Sequence, residues 1–272
     1  MNPIRTTVAV LSAVTLAGCS YEKNTIQDIT NPITGANVKF FNLGVNAPGV
    51  NFFANDAKVT AVSSTNCSPP PTTPNPACTT TGAEVTTGTA FGAAANAGLY
   101  NVVPAGSVSL AGKIAATADN NLSVASTTSN LENGKYYSFY TSGIYDATTK
   151  KMDAFVVEDP LPAFDYATAY VRFVNASANA TGVTLFAKST TTNVEGPIGS
   201  SVAYKAAGAF ILIPAGVYDM NVRSGGSATN LVTLAAVSLA GGRVYTIALR
   251  GDMTVTSTTA TNRPTLQSNA NR

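Results

Sequence analysis

The sequence predicts an all-β chain in which two tandem antiparallel sandwich domains follow an exported N-terminal segment. Three observations carry this: an internal duplication, a two-residue hydrophobic alternation, and turn chemistry about every ten residues. The duplication is the most direct. Val38 to Ala54 aligns without a gap on Val171 to Ala187, with nine of seventeen positions identical. Pro104-Ala105-Gly106 recurs as Pro214-Ala215-Gly216, and the leucine, glycine and tyrosine of Leu131, Gly134 and Tyr137 recur as Leu239, Gly242 and Tyr245. Because the three blocks keep their order, the chain holds two copies of one domain. The offset falls from 133 residues in the first block to 110 in the second, so the first copy carries 23 extra residues in the stretch that holds Cys67 and Cys78.

Ahead of the copies, a short apolar run begins near Val8 behind Arg5 and ends at Leu16-Ala17-Gly18-Cys19. Small residues followed at once by cysteine read as a lipoprotein signal peptide over residues 1–18, with Cys19 lipidated as the first mature residue. A spanning helix fits poorly, since the run is about nine residues where roughly twenty are needed. Two acyl chains at about 0.8 kcal/mol per buried methylene would hold the protein on a membrane. Ser20 resembles the outer-membrane-sorted class. Residues 19–36 then form a polar tether, whose span from Ser20 to Ala36 reaches roughly 20 to 25 Å as a flexible coil.

Composition narrows the chemistry. Only 11% of residues are charged and 45% are hydrophobic, and sixteen basic against fourteen acidic residues leave the chain nearly neutral. Without a basic cluster to release counterions, nucleic acid is not an expected partner. Histidine is absent, which removes Ser-His-Asp and Cys-His arrangements and imidazole metal sites. No cofactor is expected.

In an oxidising compartment Cys67 and Cys78 are expected to form a disulfide across a loop holding five prolines. A redox or metal pair is the alternative, but neither spacing nor neighbours suit one.

Within the copies, Val171, Phe173 and Asn175 alternate with Arg172 and Val174, and Tyr218, Met220 and Val222 alternate with Val217, Asp219 and Asn221. Pro-Ala-Gly reads as a hairpin turn, and Asn133-Gly134 and Gly241-Gly242 supply another. The expected domains are residues 37–163 and 167–267, each of immunoglobulin size, with 268–272 as a tail. Leu131, Gly134, Tyr137 and Phe139, matched by Leu239, Gly242, Tyr245 and Ile247, look like a fibronectin type III strand. There Tyr137 and Tyr245 would bury their rings and return their hydroxyls to backbone at a corner.

Together these blocks resemble a bacterial family known only as a domain of unknown function, family 4397, whose members are often tandem and surface-exposed or lipid-anchored. The resemblance covers most of residues 37–267. It implies the sandwich fold and brings no established catalytic residues.

Candidate sites lie mainly where the copies differ. The proline-rich loop is a stiff projection, either a tolerated insertion or a binding edge. Asp153, Glu158, Asp159 and Asp165 flank the junction between copies, as a solvated hinge or as ligands for calcium. Asn42 with Asn46, and Asn175 with Asn179, recur in both copies and suggest turn hydrogen bonding. Tyr136 and Tyr140 fall on the face opposite Tyr137 and Phe139, where they would form a sugar-stacking platform or an aromatic cross-strand cluster. The expected function is a non-catalytic, lipid-anchored envelope module that binds another protein or a surface component. The rivals are a carbohydrate-binding module and, less favoured, a hydrolase using paired carboxylates.

Overall fold

Alternating apolar residues in the two duplicated segments close two separate cores. The computed structural model describes residues 34–60 and 87–272, together with the backbone of 64–68 and 77–81. The first copy contains β1 (Ala36–Asn42), β2 (Val50–Ala54), β3 (Ala57–Lys58), β4 (Ser64–Ser68), β5 (Ala77–Thr81), β6 (Ala93–Ala94), β7 (Asn101–Val103), β8 (Gly106–Ile114), β9 (Ser123–Leu131), β10 (Tyr136–Asp146) and β11 (Lys151–Glu158). The second contains β12 (Thr168–Asn175), β13 (Val183–Ser189), β14 (Glu195–Pro197), β15 (Ala206–Ala207), β16 (Ile211–Pro214), β17 (Gly216–Ser224), β18 (Val232–Leu239), β19 (Val244–Arg250) and β20 (Thr265–Ala270). The architecture is all-β, in two sandwich-like units.

The copies share one topology. In the first, β11-β10-β1, with β6 and β7 along the far edge of β1, faces β3-β2-β8-β9. In the second, β20-β19-β12, with β15 and β16 along β12, faces β14-β13-β17-β18. Phe40, Phe52 and Phe139 fill the first core, with ring centroids 5.2 to 5.9 Å apart. Phe173, Leu185, Met220 and Ile247 are fully buried in the second. The extra residues of the first copy include the β4–β5 hairpin, which forms a two-stranded sheet of its own.

Two features depart from a purely antiparallel, hairpin-linked sandwich. First, β1 runs parallel to β10 and β12 parallel to β19. Parallel neighbours need a long crossover, and here most of each copy separates the paired strands. Second, Pro-Ala-Gly does not close a hairpin. It carries the chain from β7 in one sheet to β8 in the facing sheet, and from β16 to β17 in the second copy. Asn133-Gly134 makes a similar crossing between β9 and β10. Gly134 and Gly242 hold φ of 78° and 77° there, a region that favours glycine.

The corner tyrosines follow these crossings. The Tyr137 hydroxyl accepts the backbone N–H of Glu132 at 3.0 Å, and that of Tyr245 accepts the N–H of Ala240 at 3.1 Å. The polar C-terminal stretch is part of the fold. β20 runs to Ala270 beside β19, and Asn271 is buried, so residues 268–272 are not a tail. The backbone pairing along β19 supplies what the sequence of β20 lacks in apolar residues.

Replacing Tyr137 by Phe leaves the ring and removes the acceptor for the Glu132 N–H. The expected loss is about 1 kcal/mol, or a fall in melting temperature of about 2 to 4 °C for a domain of this size. Calorimetry of the variant beside the parent measures it; an unchanged melting temperature would contradict the corner's structural role.

Candidate functional site

Strand alternation gives β1 and β12 two faces, and both are buried. Val38 and Phe40 point into the first core, while Lys39 and Phe41 point out of it. Val171 and Phe173 point into the second core, with Arg172 and Val174 facing outward. The outward faces meet. Phe41, Leu43, Tyr140 and Phe155 of the first copy pack with Val174, Ala176 and Ala248 of the second in a third apolar cluster. The order of layers is therefore sheet, core, sheet, shared interface, sheet, core, sheet.

Ladder register shows that the shared face is built on an approximate two-fold relation. Val38 and Val171 lie opposite the corner tyrosines in the parallel ladders, which makes Lys39 the counterpart of Arg172. Glu158 and Ala270 lie opposite the same tyrosines on the other side, so Asp159 is the counterpart of Asn271. The contacts exchange accordingly. Lys39 Nζ donates to the carbonyl of Ala270 at 2.5 Å, and Arg172 Nη1 donates to the carbonyl of Glu158 at 2.9 Å. Each cation also lies over the ring at the matching position of its own copy, Lys39 over Tyr100 at 4.5 Å and Arg172 over Phe210 at 4.6 Å.

The two halves differ in side-chain size and charge. Tyr140 is stacked between Phe41 and Phe155, at 4.8 and 5.0 Å, and its counterpart is Ala248; that of Phe41 is Val174. Large residues on one copy thus meet small ones on the other.

Asp159 is the centre of the polar part and is 1% exposed. It pairs with Arg172, also 1% exposed. Its other oxygen accepts from Tyr100 and Ser138, each at 2.7 Å, and from Asn271 at 3.3 Å. Arg172 Nε donates to Thr246 at 3.0 Å, and Thr246 donates to Asn271 at 2.7 Å. A buried charge is tolerable only when paired and hydrogen-bonded in this way. Burial and the nearby Asp159 carboxylate push the Tyr100 hydroxyl well above the usual phenol range. Burial pushes Tyr140 up to about 12 and raises Tyr204 as well.

Several expected sites look different in this light. Tyr136 and Tyr140 do share the outward face, but they form no sugar platform, because Tyr140 is fully buried, stacked between Phe41 and Phe155 in the cluster shared with the second copy. Tyr136 is 36% exposed and meets Tyr100 edge to face at 4.9 Å. The junction is not a solvated hinge either, since Asp159 is buried within it. Its four carboxylates diverge: Asp153 accepts from Tyr204 at 2.8 Å, Asp165 accepts from the Ala167 N–H at 2.9 Å, and Glu158 lies 3.4 Å from Lys135. Among the described residues no group of three or more acids or cysteines could hold a metal.

Asn42 and Asn175 are fully buried loop ties. Asn42 donates to the carbonyls of Pro48 and Thr89, at 3.0 and 2.8 Å, while Asn175 donates to those of Ala180 and Val202, at 2.6 and 3.3 Å. Asn46 takes a positive φ of 60°, and Asn179 donates to Asp252 at 2.7 Å. The β4–β5 ladder sets Cys67 opposite Cys78; their side chains, Cys19, and the proline run between β4 and β5 lie outside the described residues.

An open apolar face lies in the second copy. Between β14 and β16, at the unclosed side of the sandwich, is a groove of about 520 Å³. Ile198, Ile213 and Tyr218 form its floor and Val194, Leu212 and Val217 its rim. Val194 is 69% exposed and Leu212 is 52% exposed. The matching opening of the first copy carries Asn55 and Lys58 and is more polar. The apolar run Ile211-Leu212-Ile213 held the signal for the groove: an edge strand with one buried face requires an apolar residue only at alternate positions.

Fold and interface define a tandem β-sandwich protein whose copies are joined face to face. Residues 36–186 and 169–272 match the domain of unknown function DUF4397, and the chain belongs to that family. Comparison with curated proteins finds no match.

Replacing Arg172 by Met leaves the Asp159 carboxylate buried without its cation, an expected loss of about 3 to 5 kcal/mol. Replacing both, Arg172→Met with Asp159→Leu, should recover much of that loss in urea unfolding. A double variant as weak as the single would contradict the pairing.

A second prediction follows from the tyrosines. Their folded ionisation lies above the unfolded value of 10.0. The unfolded chain therefore gives up these protons first, and stability present below about pH 10 falls as pH rises beyond it. Urea midpoints measured from pH 8 upward should decline above about pH 10, and less steeply in Tyr100→Phe. An identical slope in that variant would contradict the assignment.

Proposed function

We propose that this chain is a non-catalytic, lipid-anchored envelope protein that presents its second sandwich to a protein partner. The apolar groove between β14 and β16 is the observation that carries the reading. Exposed aliphatic residues along the open outer edge of β16 suit an extended peptide, which can add to the edge and place alternate side chains on an apolar floor. The rigid face-to-face union of the copies supports this role, because a preorganised platform loses little entropy on binding. Lipidation at Cys19, a Cys67–Cys78 disulfide and outer-membrane placement belong to the same proposal and rest on the sequence. Burial of Tyr140 weighs against the glycan alternative.

A photoreactive residue at position 212, in cells making the full-length protein, tests the reading. A recurrent protein adduct at 212 that Val194→Asp abolishes, with no adduct from a probe at exposed Leu122, is the expected result. Equal labelling at both positions, or none at 212, would overturn it.

A further inference from the structure

Lys39 is only 2% exposed and reaches across the joined face to β20. Its counterpart Arg172 has the Asp159 carboxylate, but the matching position of the second copy is Asn271, and Lys39 meets the carboxamide of Asn269 instead. Lys39 Nζ donates to Asn269 Oδ1 at 3.1 Å and to the Ala270 carbonyl, with the Tyr100 ring beneath it. Asp159 is already engaged by Arg172, Tyr100, Ser138 and Asn271. Burial, aided by the nearby Arg172 charge and only partly opposed by Asp159, brings the Lys39 ammonium down to about 8. Near neutral pH part of the population is then a free amine held against an acyl group.

We propose that Lys39 and Asn269 form an intramolecular isopeptide bond that joins the first strand of one copy to the last strand of the other. The Lys39 amine attacks Asn269 Cγ. The new Nζ–Cγ bond forms, the Cγ–Nδ2 bond breaks, and one Nζ proton passes to the departing nitrogen, which leaves as ammonia. No oxidant, reductant or outside reagent is needed.

Two further features favour the reaction. Asn269 Nδ2 is turned toward Gly98, where a β-carbon would lie 2.5 Å from it, so glycine leaves the amide room to sit with its oxygen on Lys39. The pair is also fixed by the surrounding sheets, and such fixed geometry raises effective concentration to as much as about 10⁵ to 10⁸ M. The bond would clamp β1 to β20, so that the two copies could not be pulled apart without breaking covalent structure.

Tryptic mapping of the purified full-length protein by mass spectrometry decides the matter. The expected product is a branched peptide uniting the segments that contain Lys39 and Asn269, uncut at Lys39 and lighter by one ammonia, about 17 Da, than the sum of its parts. Lys39→Arg and Asn269→Ala should each abolish it. Recovery of linear peptides, cut at Lys39 and carrying intact Asn269, would overturn the proposal. The parent protein alone gives this answer, whether or not either variant folds.

Discussion

The structure depends on one buried ion pair. Asp159 and Arg172 lie almost without solvent contact where the two sandwiches meet, and a charge so placed must be met on every side. Tyr100, Ser138, Thr246 and Asn271 are arranged around the pair to do so. Three of these groups belong to strands or their ends in one copy and three to the other, counting the pair itself, so satisfying the carboxylate aligns both sheets at once. Buried polar groups of this kind add specificity of arrangement more than net stability. The apolar cluster of Phe41, Tyr140, Phe155, Val174 and Ala248 supplies the area that holds the faces together.

The two halves of the interface are related but not interchangeable. Two first copies would set Phe41, Tyr140 and Phe155 against the same large residues, and over-packing a core is costly. Two second copies would leave Val174 and Ala248 facing one another across unfilled space and bury Arg172 against Asn271, with no carboxylate in reach. Divergence after duplication has thus turned a self-matching surface into one that accepts its sibling. The same divergence left Asn271 where the first copy has Asp159, so Lys39 has no carboxylate matching the one that pairs with Arg172.

Much of the fold was legible in the sequence, and the reasons show in particular residues. The repeat blocks located both sandwiches, and period-two alternation at Val171, Arg172, Phe173 and Val174 correctly separated two faces. It did not show that the outward face is covered, because an exposed and an interface-buried Tyr140 look alike in a local pattern. That missing long-range information also explains the Tyr136 and Tyr140 platform and the solvated junction. Pro-Ala-Gly reads locally as a tight turn, and only the pairing of β7 with β1 reveals a crossing between sheets. Polar β20 escaped notice because its place is set by backbone pairing to β19. The apolar run Ile211-Leu212-Ile213 marked an edge strand with an apolar outer face, but the width of the groove beside Leu212 depends on how far apart two sheet edges lie, which no local spacing encodes.

Small-angle X-ray scattering from the full-length protein tests most directly whether the sandwiches form a single body. The account predicts one compact distance distribution that stays unchanged with ionic strength, since Asp159 and Arg172 are shielded from salt. A distribution with a second maximum, as from two sandwiches on a flexible junction, would contradict it.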